Sequence, residues 1–381
     1  MSPHPCRNWP PPVPELSQHA IAPARVLRGD GAWVEALPLI RQLGSRPLLL
    51  GRSAATSELR AALLSQLEAT GLAVQPGQLQ HDCCWTDLRR ISAELGSADV
   101  DAVIAVGGGK VLDAGKWLAN HHRLPCITVP TSAATCAGWT ALSNLYSEQG
   151  AFEGDVVLAR CPDLLVFDHD LVRQAPARSL ASGVADAMAK WYEASVSSGA
   201  SADGLIQQAV QMARVLRDQL LLEAEVALAQ PGSEAWVRVV EACGLTAGVI
   251  GGIGGARCRT VAAHAVHNGL TQLQASHGRL HGEKVGFGIL VQLRLEEVLG
   301  GNQLAAQARR QLVPFFRQLG LPITLADLGL GQASLSELQA ACAFAARPGS
   351  DLHHLPFAVS DTELLAALVS TEAGIPQEAR V

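Results

Sequence analysis

Nowhere in the 381 residues do lysines and arginines cluster. A nucleic-acid-binding surface needs a concentrated basic face to neutralise phosphates, and a chain of net charge -6 with dispersed cations is not expected to carry one. Long apolar runs are scarce as well. No stretch is read as the roughly 18 apolar residues of a membrane span, so no membrane partner is expected. Residues 1–25, opening MSPHPCRNWPPPVPELSQH, are proline-rich, lack the apolar segment of a secretory signal and read as a flexible leader. The nine cysteines are scattered through apolar surroundings. Cys83-Cys84 and Cys136 have no CxxC partner, which argues against a cysteine–zinc site and for reduced thiols in a cytoplasmic protein. Internal repeats are missing, and with 48% hydrophobic and 17% charged residues no long disordered tract is expected.

A chain of this length is expected to hold two domains. In its first half, short apolar runs alternate with helical patterns: Pro47–Leu50, then Ser57–Ala69; Leu72–Val74, then Asp87–Leu95. The clearest strand is Ala102–Val106, followed by a helix through Lys116, and Cys126–Val129 and Leu164–Phe167 read as further strands. That alternation predicts a parallel sheet with helices on both faces. After about Pro176 strand signals vanish. Alanine- and leucine-rich helical windows replace them at 179–195, 204–229, 234–249, 260–272, 283–298 and 304–320. The expected organisation is an α/β nucleotide-binding domain over 26–175 and an all-helical metal-binding domain over 176–381.

Three places carry chemistry. The strand Ala102–Val106 runs into GGGKVLDAGK, where glycines let the backbone approach a ligand and the following helix start suits a pyrophosphate. This is neither GxGxxG nor a P-loop, so an ordinary glycine-rich βα turn is the competing reading. A small polar loop, Pro130 to Thr135, follows the next strand, where parallel sheets bind ligands. Farther on, His264 and His267 share a helix face, His281 opens the next helix, and Asp186 sits in an apolar helix where an unpaired carboxylate is costly. One carboxylate and two imidazoles suit a catalytic divalent metal. A local pair between Asp186 and Lys190 is the quieter alternative.

GGGKVLDAGK, VPTSAATCAGWTALSNLYSEQG, LASGVADAMAKWYEA, AAHAVHNGLT and LHGEKVGFGIL, in this order, resemble the glycerol-dehydrogenase branch of the iron-containing alcohol dehydrogenases over roughly residues 35–375. The wording TCAGWT and AKWYEA is similar to a hydroxycarboxylate dehydrogenase sub-branch that reduces 2-oxo acids with NADPH. The resemblance implies a Rossmann-like parallel-sheet domain, a helical domain and hydride transfer in the cleft between them. By motif it implies Asp186, His264 and His281 as ligands of Zn2+ or another divalent metal. It implies Gly107, Gly108, Gly109, Lys110 and Val111 as the pyrophosphate loop, and Thr131, Ser132, Ala133, Ala134, Thr140, Leu142 and Tyr146 as further NAD(P) contacts. His267 would line the substrate pocket and relay a proton.

Three positions depart from the pattern. Lys190 stands where the iron-dependent branch has a further histidine, which favours a three-ligand zinc site. Arg52, with Ser53, stands where NAD-preferring members carry an acid, which favours NADP(H). Cys136 stands where glycerol dehydrogenases place an aspartate, which favours a small oxo acid over glycerol. A small alcohol or oxo-acid substrate and a homo-oligomer are expected. The alternatives are a dehydroquinate-synthase-type lyase and a non-catalytic family member.

Overall fold

The computed structural model describes residues 18–97 and 99–373. In chain order the first half runs β1 (Val26–Gly29), α1 (Ala32–Leu43), β2 (Pro47–Gly51), α2 (Ser57–Ala69), β3 (Gln75–Gln78), α3 (Trp85–Ser97), β4 (Ala102–Gly107), α4 (Gly109–His122), β5 (Cys126–Pro130), β6 (Leu142–Tyr146), β7 (Phe152–Val157) and β8 (Leu164–Asp168). The second half runs α5 (His169–Arg173), α6 (Ala177–Ser198), α7 (Gly204–Ala229), α8 (Glu234–Glu241), α9 (Ala247–Gly254), α10 (Ala262–Leu270), α11 (His281–Val298), α12 (Gln303–Gln318), α13 (Leu335–Ala345) and α14 (Asp361–Val369).

Six strands form one parallel sheet in the order β1-β8-β5-β4-β2-β3. Every residue of β2, β4, β5 and β8 is buried, as expected of strands covered on both faces. Side chains alternate between those faces. Val103 and Ala105 join the core under α3 and α4, while Ala102, Ile104 and Val106 join the core under α1 and α2. From β2 the chain moves outward to β3, and from β4 it moves the other way to β5. The carboxyl ends of β2 and β4 therefore flank a topological switch point, where open α/β sheets leave a crevice for ligands.

The expected fold class stands, with corrections. The strand sought at Leu72–Val74 begins instead at Gln75, and its sequence QPGQ lies on the sheet edge, the place that tolerates a proline. β1 and α1 precede the strand read as first, and the antiparallel pair β6–β7 was not anticipated. Residues 1–17 of the leader lie outside the described residues, and its remainder is held: Ala24 N donates to Pro162 O at 3.0 Å, and Ile21 O accepts Trp139 Nε1–H at 2.9 Å.

In the helical half, one apolar cluster packs α6 through α12 and a second packs α10, α11, α13 and α14. The run Glu234–Gly254 (α8, a π-type turn and α9) is long and apolar enough to span a membrane, which corrects the expectation from sequence. Its apolar window is 61% buried within the protein, as for a core helix.

Candidate active site and metal centre

Asp186 lies on α6, where every residue from Leu180 to Lys190 is buried. His264 is in the first turn of α10, and His281 is the first residue of α11. Close backbone packing brings these helices together. Gly282 N donates to Ser182 Oγ at 3.0 Å, and a Cβ on Gly282 would overlap the Ser182 carbonyl oxygen. A Cβ on Gly183 would likewise overlap the Ala133 carbonyl, so this glycine seats α6 against the polar loop after β5.

The result is a trio whose ligand atoms all lie within 4.8 Å of one another. The Nε2 atoms of His264 and His281 are each 3.4 Å from Asp186 Oδ1. That oxygen is buried and has no hydrogen-bond partner. An orphaned carboxylate oxygen facing two imidazole nitrogens is costly by itself and fits a divalent cation held by three protein ligands. Burial would raise the Asp186 pKa, but Lys190, His264 and His281 hold it well below the ordinary carboxylate value. Burial would lower the His264 pKa, but Glu193 and Asp186 lift it to about 9. For His281 burial prevails and the pKa falls.

Glu193 was missed in the sequence. It is fully buried, two turns beyond Asp186 on the same helix face. Its Oε2 lies 2.7 Å from His264 Nδ1, and its Oε1 accepts the backbone N–H of Val261 (2.7 Å) and of His264 (3.0 Å). A carboxylate on Nδ1 fixes Nδ1–H as the donor, leaving Nε2 facing Asp186 as the nitrogen that would give its lone pair to a metal once its proton is displaced. A signal was available in AKWYEA: a second acid in an apolar helix, seven residues after the first.

Two cavities meet at this trio. The smaller, about 130 Å³, is lined by Asp186, His264, His281, His267, Cys136, Lys190 and Arg259, and also by Thr140 and Leu142. The larger cleft, about 570 Å³, is lined by Arg52, Ser53, Gly107, Gly108, Gly109, Lys110, Val111, Thr131, Ser132, Ala134, Tyr146 and His281. Asp113, Thr135, Ala137, Asn144, Tyr146 and His281 wall both. Ala133 is buried behind its loop and lines neither of these two cavities. In the larger cleft Gly108 caps α4 with no side-chain bond, and a Cβ there would meet nothing within 4 Å, so backbone is open to the cleft. A helix start presented this way fits a pyrophosphate.

Lys116 fastens this wall. Its ammonium lies 3.0 Å from Asp113 Oδ1 and donates to the Thr140 carbonyl and hydroxyl and to the Leu142 carbonyl, which pins the base of β6. His267 stacks edgewise on His281 at 4.2 Å between ring centroids, with Nδ1 2.9 Å from Asn268 Oδ1. Burial and the neighbouring His281 hold its pKa well below the ordinary value, so it is neutral.

Sequence comparison places the chain in a family. The sequence model for "iron-containing alcohol dehydrogenase" matches residues 23–169. An uncharacterized oxidoreductase of Synechocystis sp. is 53% identical over 362 residues, covering 95% of this chain and 93% of that protein. Hydroxycarboxylate dehydrogenase A of Escherichia coli is 36% identical over 297 residues, 76% of this chain and 80% of that one. The chain belongs to the iron-containing alcohol dehydrogenase family. A crystal structure of a probable glycerol dehydrogenase from Sinorhizobium meliloti matches with a TM-score of 0.82 at 29% identity, over 92% of this chain and 97% of that one. The resemblance drawn from the motifs is borne out, and as an iron-containing alcohol dehydrogenase the protein is an oxidoreductase that works with NAD(P) and a divalent metal. Nothing in these similarities supports the lyase alternative.

Within this family fold, a second trio, His81, Cys84 and Asp87, has metal-ligand spacing. There Asp87 already accepts the N–H groups of Gln80 and His81 and pairs with Arg90 at 2.9 Å, so its carboxylate is spoken for.

Proposed function

We propose that the protein is a zinc-dependent dehydrogenase that interconverts small 2-oxo and 2-hydroxy acids with NADP(H) in preference to NAD(H). The observation that carries the reading is the position of the Asp186–His264–His281 trio where the two cavities meet, with Cys136 in the wall of the smaller one. Burial pushes the Cys136 thiol pKa up. The position therefore offers no anionic acceptor for a polyol hydroxyl and no charge to repel a carboxylate.

When bound, the metal supplies a Lewis acid for the substrate oxygen and the nicotinamide gives or accepts hydride. The chain's own contribution is positional. Glu193 fixes the His264 tautomer, Gly282 sets the start of α11 and with it His281, and neutral His267 beside them can accept or return a proton. Lys190, 3.9 Å from Asp186 Oδ1, occupies the place of a fourth protein ligand, which favours zinc. Arg52 follows β2 beside the switch point and lines the larger cleft, where a 2′-phosphate would find its guanidinium. In the structure that guanidinium is 2.8 Å from Asp82, which also pairs with Lys110. One acid beside two cations leaves a net positive surface. The eight described cysteines are buried and unpaired, which supports a reducing, cytoplasmic setting. The homo-oligomer remains part of the proposal, to be measured by sedimentation.

The test is a panel of glycerol oxidation against 2-oxobutanoate and 2-oxoglutarate reduction, with both nicotinamide cofactors, alongside metal analysis of the purified protein. Oxo-acid turnover favouring NADPH is expected. Efficient glycerol oxidation with no oxo-acid reduction refutes the substrate class.

A further inference from the structure

We infer that Lys190 and Arg259 form a carboxylate-binding subsite in the chamber beside Asp186, His264 and His281, specific for the carboxylate of a small 2-oxo or 2-hydroxy acid. The inference rests on the substrate class proposed above and supplies the groups that would recognise it.

Both cations are left with unused capacity. The Lys190 side chain is 5% exposed and makes no hydrogen bond among the described residues; its one ion pair, to Asp186 Oδ1, is long at 3.9 Å. An ammonium has three donors, and with no acceptor among the described residues they are open to a ligand in the chamber that Lys190 lines. Arg259 forms no ion pair among the described residues, and its Nε is buried without an acceptor. Its placement is built into the fold. The aliphatic stem crosses Gly251 on α9, where a Cβ would lie 2.7 Å from Arg259 Cδ, so that glycine leaves the groove along which the arginine reaches the chamber.

The acids lining the same chamber do not use these cations up. Asp113 is held by Lys116 at 3.0 Å, and Asp351 faces His354 Nδ1 at 3.6 Å. Asp155 lines the exposed side and forms no ion pair with either cation. Asp186 points Oδ1 at the two histidines. A planar guanidinium matches a carboxylate in a two-point fork, and the ammonium adds a point charge from a second direction. A substrate anchored this way would turn its carbonyl or hydroxyl end toward the trio. Cys136, in the same wall, presents a neutral thiol instead of a repelling charge.

The experiment uses the metal-loaded enzyme with NADPH, and compares 2-oxobutanoate with 2-oxobutanamide, which keeps the skeleton and loses the charge. For Arg259→Gln, the ratio of kcat/KM for acid over amide should fall about 10- to 100-fold, mostly through KM, as expected for one charge-assisted bond. Arg259→Lys should recover part of the loss. Gly251→Ala, which touches no substrate, should lower the same ratio by displacing the arginine. Equilibrium binding of 2-oxobutanoate to the enzyme–NADP+ complex should weaken in parallel, with metal content preserved. If Arg259→Gln weakens acid and amide alike, or neither, while the native enzyme reduces 2-oxobutanoate, the subsite is overturned and the substrate class stands. If the native enzyme reduces no oxo acid, the substrate class fails and takes the subsite with it.

Discussion

Exchanging Glu193 for glutamine tests the proposed metal centre without touching any of its three proposed ligands, Asp186, His264 and His281. In the native protein Glu193 Oε1 accepts two backbone N–H groups and Oε2 faces His264 Nδ1 at 2.7 Å. In Glu193→Gln the amide oxygen can keep the backbone donors, which turns the NH2 group toward Nδ1. That nitrogen must then accept, so the imidazole proton moves to Nε2, 3.4 Å from Asp186 Oδ1, and the lone pair intended for the metal is lost. Metal affinity should fall about 10- to 100-fold, the usual range for losing a carboxylate behind a ligating histidine.

The same carboxylate sets a pH dependence. In the metal-free protein His264 has a pKa of about 9 against 6.5 ordinarily, a gap worth up to about 3 kcal/mol. Because the folded pKa is raised, this stability is fully present below pH 6.5 and is lost as pH rises through 9. Below pH 9 a metal must displace that proton, so apparent affinity should rise about tenfold per pH unit up to that point. Glu193→Gln should flatten this slope near neutrality and remove the released proton. Zinc titration against a chromophoric chelator, with calorimetry in two buffers of different ionisation enthalpy, reads both quantities. Native-like affinity and one released proton at pH 7.5 in Glu193→Gln would refute the assignment.

Lys116→Met leaves the buried Asp113 carboxylate unpaired and frees the base of β6, so urea denaturation should show a loss of about 3–5 kcal/mol; a loss below 1 kcal/mol contradicts it. Gly282→Ala forces α11 away from the Ser182 carbonyl, so bound metal and turnover should both drop sharply while far-UV circular dichroism is retained. Arg52→Leu should cut kcat/KM for NADPH about tenfold or more with a smaller change for NADH, and Asp82→Asn, by releasing Arg52, should shift preference further toward NADPH. Cys136→Asp should raise glycerol turnover and depress that of 2-oxobutanoate; the opposite order shows that the thiol does not face the substrate.

The sequence displayed the central sheet and the long helices because their patterns are extreme. β4 is apolar in its first five residues and buried throughout, and α6 carries Asp186 in a run of alanines. What escaped were elements whose residues are mixed. QPGQ becomes β3 through its place on the sheet edge, and the hairpin β6–β7 is fixed by Lys116 from another element. α13 and α14 escaped as well, although each opens with a capping box, Ser334 with Glu337 and Ser360 with Glu363, a local signal that was there to be read.

The site divides along the same physical line. The proposed ligands announce themselves, because an aspartate in an apolar helix and histidines in apolar stretches contradict their surroundings locally. The residues that make the ligands work contradict nothing until the chain is folded. Glu193 becomes meaningful when α10 delivers two backbone N–H groups and an imidazole to it. Arg259 sits in the glycine-rich stretch GGIGGARCRT, and becomes informative when its Nε is found buried with nothing to bond. Asp186 Oδ1 and Arg259 Nε are buried without a partner around one chamber, and the Lys190 ammonium beside them has only a 3.9 Å ion pair among the described residues. At this chamber, unlike at the other buried atoms left without a partner, the unmet groups are a carboxylate and a guanidinium in one lining, and a cation and an anionic substrate would relieve both.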